Sequence, residues 1–405
     1  MAFLSAPHEA FSSGFYHDPD FDYQVRSLLG RASSGASEPG EVLATIATIP
    51  DGDHPAWFTA WHRLGTRLAV SAKELQASER FDSAASTFLR ASSYLAIAVN
   101  AAPDDALAEV FNEYLSAWDG FIDATVYTAE RVQIPYEGTT LPGYFIRPSD
   151  DGEARPTLIL VNGSDGSHAS MWSAAAHPAL NRGYNVLLFD GPGQQSMLFD
   201  RGMPFRPDWE TVITPVVEYL LTRADVDSDR LAIYGASQGG FWAARALAFE
   251  MRIAAGILDP GVIDVSASWM SQLPRPLAKQ FAEGKREAFD RDMAMGMRFS
   301  PDAARTWAFR ARPYAMAGYF DTLTEVHRYD LREVAAQITT PLFIADPEGE
   351  QFWPGQSAGL AELVASEHLL QQFTTAEGAN LHCQPLAREL TGERMLDWLG
   401  RLLDL

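Results

Sequence analysis

Among the residues able to do chemistry, Ser237 is set apart by its neighbours. The run Leu231-Ala-Ile-Tyr-Gly235-Ala-Ser237-Gln-Gly239-Gly240-Phe-Trp reads as a short apolar strand, a Gly-x-Ser-x-Gly turn and the start of a helix. A serine between a strand end and a helix start must occupy a sharp turn, and glycines at 235 and 239 leave room for the helix to pack on the strand. The hydroxyl is then presented outward. The helix N-terminus adds partial positive charge and free N–H groups, so the amide of Gln238 can stabilise an oxyanion. The competing reading of this string is a purely structural turn.

A serine hydroxyl attacks only when an imidazole removes its proton, and the imidazole needs a carboxylate to hold its tautomer. The strand, turn and helix around Ser237 resemble the nucleophile turn of α/β-hydrolases, whose chain order is serine, acid, histidine. In that arrangement the histidine follows the last strand. His382 fits, lying in Glu377-Gly-Ala-Asn-Leu-His382-Cys-Gln-Pro between a strand ending near Phe373 and a final helix from Arg388; His168, His177, His327 and His368 come earlier. The acid should follow the penultimate strand, where Pro341-Leu-Phe-Ile-Ala-Asp346-Pro-Glu348-Gly-Glu350-Gln-Phe-Trp-Pro354 offers three carboxylates. Hydrolases of this fold commonly carry Gly-x-x-Asp-x-x-x-Pro here, and laying that proline on Pro354 puts Glu350 on the acid. Asp346, at the strand end, is the alternative if the loop folds back. Strand alternation turns Glu348 the other way.

A second oxyanion donor is expected from Val161-Asn162-Gly163-Ser164-Asp165-Gly166-Ser167, with the amide of Ser164 first and Asp165 next in line. A phosphate loop would also be glycine-rich, but its lysine is missing. Asp190-Gly-Pro-Gly193-Gln194 reads as a tight structural turn. Trp269, Trp307, Tyr314 and Tyr319 are candidates to line a substrate pocket, with Asp165 beside them, although core packing is the ordinary fate of any one aromatic.

These residues need a scaffold. From about Asp22 to Leu115 the pattern is helical, with stripes at Trp57, Trp61, Leu64, Leu68 and at Phe81, Ala85, Phe88, Leu89, Ser92, Leu95. Arg31 to Gly40 reads as a Ser/Gly-rich loop. After about Thr125, Ala129 to Pro135 and Thr140 to Arg147 form an antiparallel pair around Glu137-Gly138. Short runs at Thr157–Val161, Asn185–Phe189, Leu231–Tyr234, Ala254–Leu258, Pro341–Ala345 and Leu369–Phe373 are apolar on both faces, as in covered parallel strands. Between Leu258 and Pro341 lies a helical insertion, about 261–333, rich in Met and aromatics with Pro274 and Pro276 as breakers. The expected fold class is α/β: an α/β-hydrolase sheet, mostly parallel, in residues 125–405 with that insertion as a cap, preceded by a helical domain at 1–124.

Bulk properties narrow the function classes. A formal charge of −22 on 405 residues disfavours nucleic acid and anionic membranes, which require clustered Lys and Arg. No run approaches the roughly 18 to 20 apolar residues of a membrane span. The single cysteine, Cys383, cannot form an intrachain disulfide, and no basic segment followed by an apolar run opens the chain, so the cytoplasm is the default location.

With these motifs in place, the chain resembles the branch of α/β-hydrolases that includes 2,6-dihydroxypseudooxynicotine hydrolase, the fermentation-respiration-switch proteins and fungal polyketide-shortening hydrolases. The likeness rests on the helical N-terminal region, Asp190-Gly-Pro-Gly-Gln194, Gly235-Ala-Ser-Gln-Gly239, Asp346-Pro-Glu-Gly-Glu350-Gln-Phe-Trp-Pro-Gly355 and His382. It implies a homodimeric enzyme acting on a small molecule, without metal or organic cofactor, that cleaves a carbon–carbon bond beside a carbonyl, or an ester. Glutamate at 350 departs from the more usual aspartate. Relatives in biosynthetic pathways also transfer acyl groups or close lactones, which is the alternative activity; a silent binding module is disfavoured by the intact order of serine, acid and histidine.

Overall fold

Helical periodicity builds the first part of the molecule. In the computed structural model, which describes residues 9–404, Trp57, Trp61, Leu64 and Leu68 are buried along helix His54–Ala77. This helix packs on Phe81–Ala101, which in turn packs on Leu107–Ala124. The stripe of the second helix is buried from Ala85 onward, whereas Phe81 at its start is 51% exposed. Every residue from Ala91 to Val99 is buried. That half of the helix is therefore a central rod, not an amphipathic surface helix.

The stretch expected as a plain loop, Arg31 to Gly40, is a structured junction. It holds a 3-10 turn, Arg31–Ser34, and the start of helix Pro39–Ile46. The buried Arg31 guanidinium donates to Ser93 Oγ at 3.0 Å, and Ser34 Oγ donates to Ser173 Oγ at 2.7 Å. Small hydroxyl residues let the helices approach the sheet half closely while pairing Arg31, Ser34 and Ser173.

From Thr128 the period changes to two. Strands β1 (Thr128–Tyr136) and β2 (Thr139–Arg147) pair antiparallel around Glu137 and Gly138, both at positive φ, as a two-residue hairpin turn requires. They continue into β3 (Arg155–Val161), β4 (Asn185–Phe189), β5 (Val226–Ala236), β6 (Ala255–Asp259), β7 (Leu342–Pro347) and β8 (His368–Phe373). The sheet has eight strands in the order β1-β2-β4-β3-β5-β6-β7-β8, and every pair from β4 onward is parallel. β8 differs from the expectation of a strand covered on both faces. It has β7 as its one neighbour, and Leu369 and Leu370 are each 37% exposed. Its apolar run belongs to an edge strand.

The insertion folds as short helices, among them Arg275–Ala282, Arg286–Phe299, Pro301–Ala311 and Tyr319–Val326. Pro276 starts a helix here instead of breaking one, because a first-turn proline has no N–H to lose. Pro313 O accepts from Phe205 N at 2.8 Å, and Arg312 pairs with Asp104 of the helical region at 2.9 Å. One face of the sheet shares its apolar core with this insertion. The opposite face shares a core with the final helix, Arg388–Leu402, and with Phe88, Trp118 and Phe121 of the N-terminal helices. Among the described residues no helix is long and apolar enough to cross a membrane.

Candidate active site

The site lies where β5, β7 and β8 end, at the carboxyl edge of the parallel sheet, where ligands bind in open α/β sheets. Ser237 follows β5 directly and has φ of 55°, the left-handed region that L-residues occupy only when the surroundings impose it. Those surroundings are tight. A Cβ at Gly235 would fall 2.2 Å from Gly239 O, and one at Gly239 would fall 2.6 Å from Val161 O. Ser237 N donates to Asp259 O at 2.7 Å, tying the turn to the end of β6. Helix Gly239–Leu247 starts immediately after it.

His382 is brought to this serine by the loop after β8. Its Nε2 lies 2.9 Å from Ser237 Oγ. Its Nδ1 lies 2.9 and 2.8 Å from the two carboxylate oxygens of Glu350. A carboxylate only accepts, so Nδ1–H is the donor and Nε2 is free to accept the serine proton. Glu350 arrives from the loop after β7, and its Oε1 accepts from the amides of Phe352 at 2.9 Å and Trp353 at 3.2 Å. Gln351 Oε1 accepts from His382 N at 2.9 Å, and the Phe352 and Trp353 rings pack on the imidazole. Four successive residues thus hold one histidine. Asp346 and Glu348 make no hydrogen bond to it among the described residues; Glu348 turns away to accept from Thr375 N at 2.7 Å.

Electrostatics agree with this geometry. The side chains of His382 and Glu350 are 4% and 5% exposed. Burial alone would raise the Glu350 pKa, yet the imidazole and the two amides hold it below the ordinary glutamate value. Burial alone would lower the His382 pKa; Cys383 and Glu350 outweigh it and raise the value well above 6.5. Burial and the charge of Glu350 push the Asp346 carboxyl up.

The loop after β3 lies against the serine: a Cβ at Gly163 would sit 3.0 Å from Ser237 Cβ. Gly163 N is used by Asn162 Oδ1 at 2.9 Å. Among the described residues the amides of Gln238 and Ser164 have no protein acceptor; Gln238 follows Ser237 in the chain, and Ser164 follows Gly163, which lies against it. The turn after β4 braces this loop, since Gln194 Nε2 donates to Asn162 O at 2.8 Å and Gly191 N donates to Gln194 Oε1 at 3.1 Å. The structural reading of Asp190–Gln194 therefore has a specific object.

Three elements wall the space above Ser237. Tyr314 Oη lies 3.2 Å from Gln238 Nε2; its ring meets Trp269 edge-on at 5.7 Å, and Trp269 meets Trp307 edge-on at 5.2 Å. Tyr319 packs on Trp307. Trp269 and Tyr314 are buried, Tyr314 also against Phe205 and Tyr329, while Trp307 is half-buried. Asp165 keeps exposed surface, and its Oδ1 accepts from Ser164 Oγ at 3.2 Å. The third wall had no sequence signal. From helix Pro19–Gly30, Tyr23 Oη donates to His382 O at 3.0 Å, and Asp20 interacts electrostatically with Asp165 and Arg310. Among the described residues no group of His, Cys, Asp and Glu is arranged to hold a metal ion.

Residues 158–388 match the alpha/beta hydrolase family. They make up more than half of the chain, and the protein belongs to that family of hydrolases. It is 28% identical over 415 residues to hydrolase LUC6 of a Fusarium species, covering 97% of each chain. It is 31% identical over 283 residues to the 20-hydroxy-prefusarin hydrolase FUS2 of Gibberella moniliformis, covering 66% of this chain and 65% of that one. Its fold is similar to the crystal structure of 2,6-dihydroxy-pseudo-oxynicotine hydrolase, with a TM-score of 0.73 at 21% identity over 92% of this chain and 95% of that one.

Proposed function

We propose that the protein hydrolyses a C–C bond next to a carbonyl, or an ester, in an aromatic or polyketide-like small molecule, with Ser237, His382 and Glu350 as its triad. The observation that carries this reading is the unbroken relay from Ser237 Oγ through His382 to Glu350, with contacts of 2.9 and 2.8 Å. Ser237 Oγ attacks the carbonyl carbon as its proton passes to His382 Nε2. The Gln238 and Ser164 amides receive the oxyanion. When the tetrahedral intermediate collapses, the C–C bond breaks and the leaving carbon departs as an enolate, which takes the imidazolium proton. Water, deprotonated by His382, then frees the acid from Ser237. Asp165, Trp307 and the edges of Trp269 and Tyr314 shape the pocket. In this reading residues 1–124 form a helical domain that walls the chamber, residues 125–405 carry the chemistry, and the cap spans about 261–333.

The test is turnover of a 1,3-diketone, 1-phenylbutane-1,3-dione, beside that of p-nitrophenyl butyrate, by wild-type and Ser237→Ala protein. Loss of both activities by several orders of magnitude in the variant supports the reading; full turnover in the variant removes it. The cap aromatics that reach Gln238 beside Ser237 favour a second reading, in which water is kept from the acyl-serine and an alcohol attacks instead. An ester or lactone formed only when an acceptor alcohol is added distinguishes it from hydrolysis.

A further inference from the structure

The cap helix Pro301–Ala311 and the residue that follows it carry three arginines with unlike surroundings. Arg305 pairs with Asp302 at 2.7 Å and Arg312 with Asp104 at 2.9 Å, both toward the outer surface. Arg310 makes no ion pair among the described residues. Its Nη2 donates to Ser268 Oγ at 3.0 Å, and its guanidinium lies 4.6 Å from the centre of the Trp269 ring. Nε and Nη1 have no protein acceptor there, although the side chain is partly buried.

The position of this cation is fixed by contacts already described. Trp269 meets Tyr314, and Tyr314 Oη reaches the side chain of Gln238, next to Ser237. The charged groups that Arg310 faces come from the other two walls: Asp165 from the loop beside Ser237 and Asp20 from the N-terminal helix. Neither is at ion-pair distance. A guanidinium stays charged even when buried, stacks on indole rings and offers two parallel N–H groups to a planar oxyanion. With Nε and Nη1 unpaired, the half-buried guanidinium can take an anionic partner from a ligand.

We propose that Arg310 binds a planar oxyanion of the substrate, a carboxylate or the ionised enol of a 1,3-dicarbonyl, and so sets the reacting carbonyl over Ser237. The proposal rests on the triad reading of the site and adds the substrate class: acidic molecules, anchored on the cap side of the chamber. Trp269 orients the guanidinium, and the two amides beside Ser237 remain available for the oxyanion that forms during reaction.

The test is calorimetric binding to Ser237→Ala protein, where no turnover intervenes, with two matched pairs of probes. One pair is 3-phenylpropanoate and 3-phenylpropanamide; the other is dimedone, ionised at neutral pH, and its methyl enol ether. At least one anion should bind about tenfold or more tightly than its neutral twin. Adding Arg310→Gln should remove that preference and shift the neutral twin by less than about twofold, while Arg310→Lys should keep part of it. The pair that shows the preference distinguishes carboxylate from enolate. Equal binding within both pairs, no anion binding at millimolar concentration, or a preference that survives Arg310→Gln would overturn the proposal. Should Arg310→Gln fail to fold, the comparison of twins on the parent and on Arg310→Lys still decides. Failure of the triad reading shows elsewhere, as absence of fluorophosphonate label on Ser237 of the wild-type protein.

Discussion

Replacing Glu350 with glutamine keeps the volume of the side chain and removes its charge. In the folded protein both carboxylate oxygens lie within 2.9 Å of His382 Nδ1, and Oε1 also accepts two backbone amides. A glutamine can accept through one atom only. Its NH₂ must then face either the imidazole N–H or the backbone N–H groups, donor against donor, which favours the wrong imidazole tautomer for accepting the Ser237 proton. The lost charge also stabilised the imidazolium, which is the form present in the transition state. Together these effects should lower kcat by roughly two to four orders of magnitude, or about 3–5 kcal/mol at 1.36 kcal/mol per decade. Asp346→Asn, which touches no atom of His382, should cost less than about tenfold. The assay is kcat/KM on p-nitrophenyl butyrate from pH 5 to 10, with melting temperature as the folding control. Because Glu350 raises the His382 pKa, and only the neutral imidazole accepts a proton, wild-type activity should fall as pH drops through a value above 6.5. Glu350→Gln lowers that pKa, so its acid limb should lie at lower pH. The reverse ranking of the two variants, or an acid limb that does not move, would refute the reasoning.

Other expectations follow from single contacts. Arg388 donates to Asp259 at 3.0 Å, to Tyr234 Oη at 3.1 Å and to the carbonyls of Cys383 and Ala174; Arg388→Met leaves Asp259 buried without its cation and should cost about 3–5 kcal/mol in urea unfolding. Gly239→Ala puts a methyl 2.6 Å from Val161 O, and a loss of about 3–5 kcal/mol is expected from the same measurement. Gln194→Ala frees the loop beside Ser237 and should lower kcat by about tenfold to a hundredfold with little change in KM, since an oxyanion donor acts mainly in the transition state.

The parts of the site that could be read from sequence are those with a local signature. Ser237 sits in a string whose strand, glycines and helix are contiguous, and His382 and Glu350 follow strands whose order is dictated by parallel topology. What could not be read are contacts between distant segments. Tyr23 and His382 are 359 positions apart, and no periodicity links them. Arg310 looks like any arginine on an amphipathic helix until Trp269 is folded beneath it. Composition misled at Arg31–Gly40, where serines that suggest a loop instead join two layers through buried hydroxyls. It misled again at β8, because an apolar run does not say whether one or both of its sides are paired.

The central claim is that Ser237 is a nucleophile activated by His382. It is tested most directly by treating the folded protein with a fluorophosphonate and locating the adduct by peptide mass spectrometry. The account predicts one stoichiometric adduct, on Ser237, forming at least about a hundredfold more slowly in His382→Ala protein. An adduct on another residue, or labelling of Ser237 at an unchanged rate without His382, would contradict it.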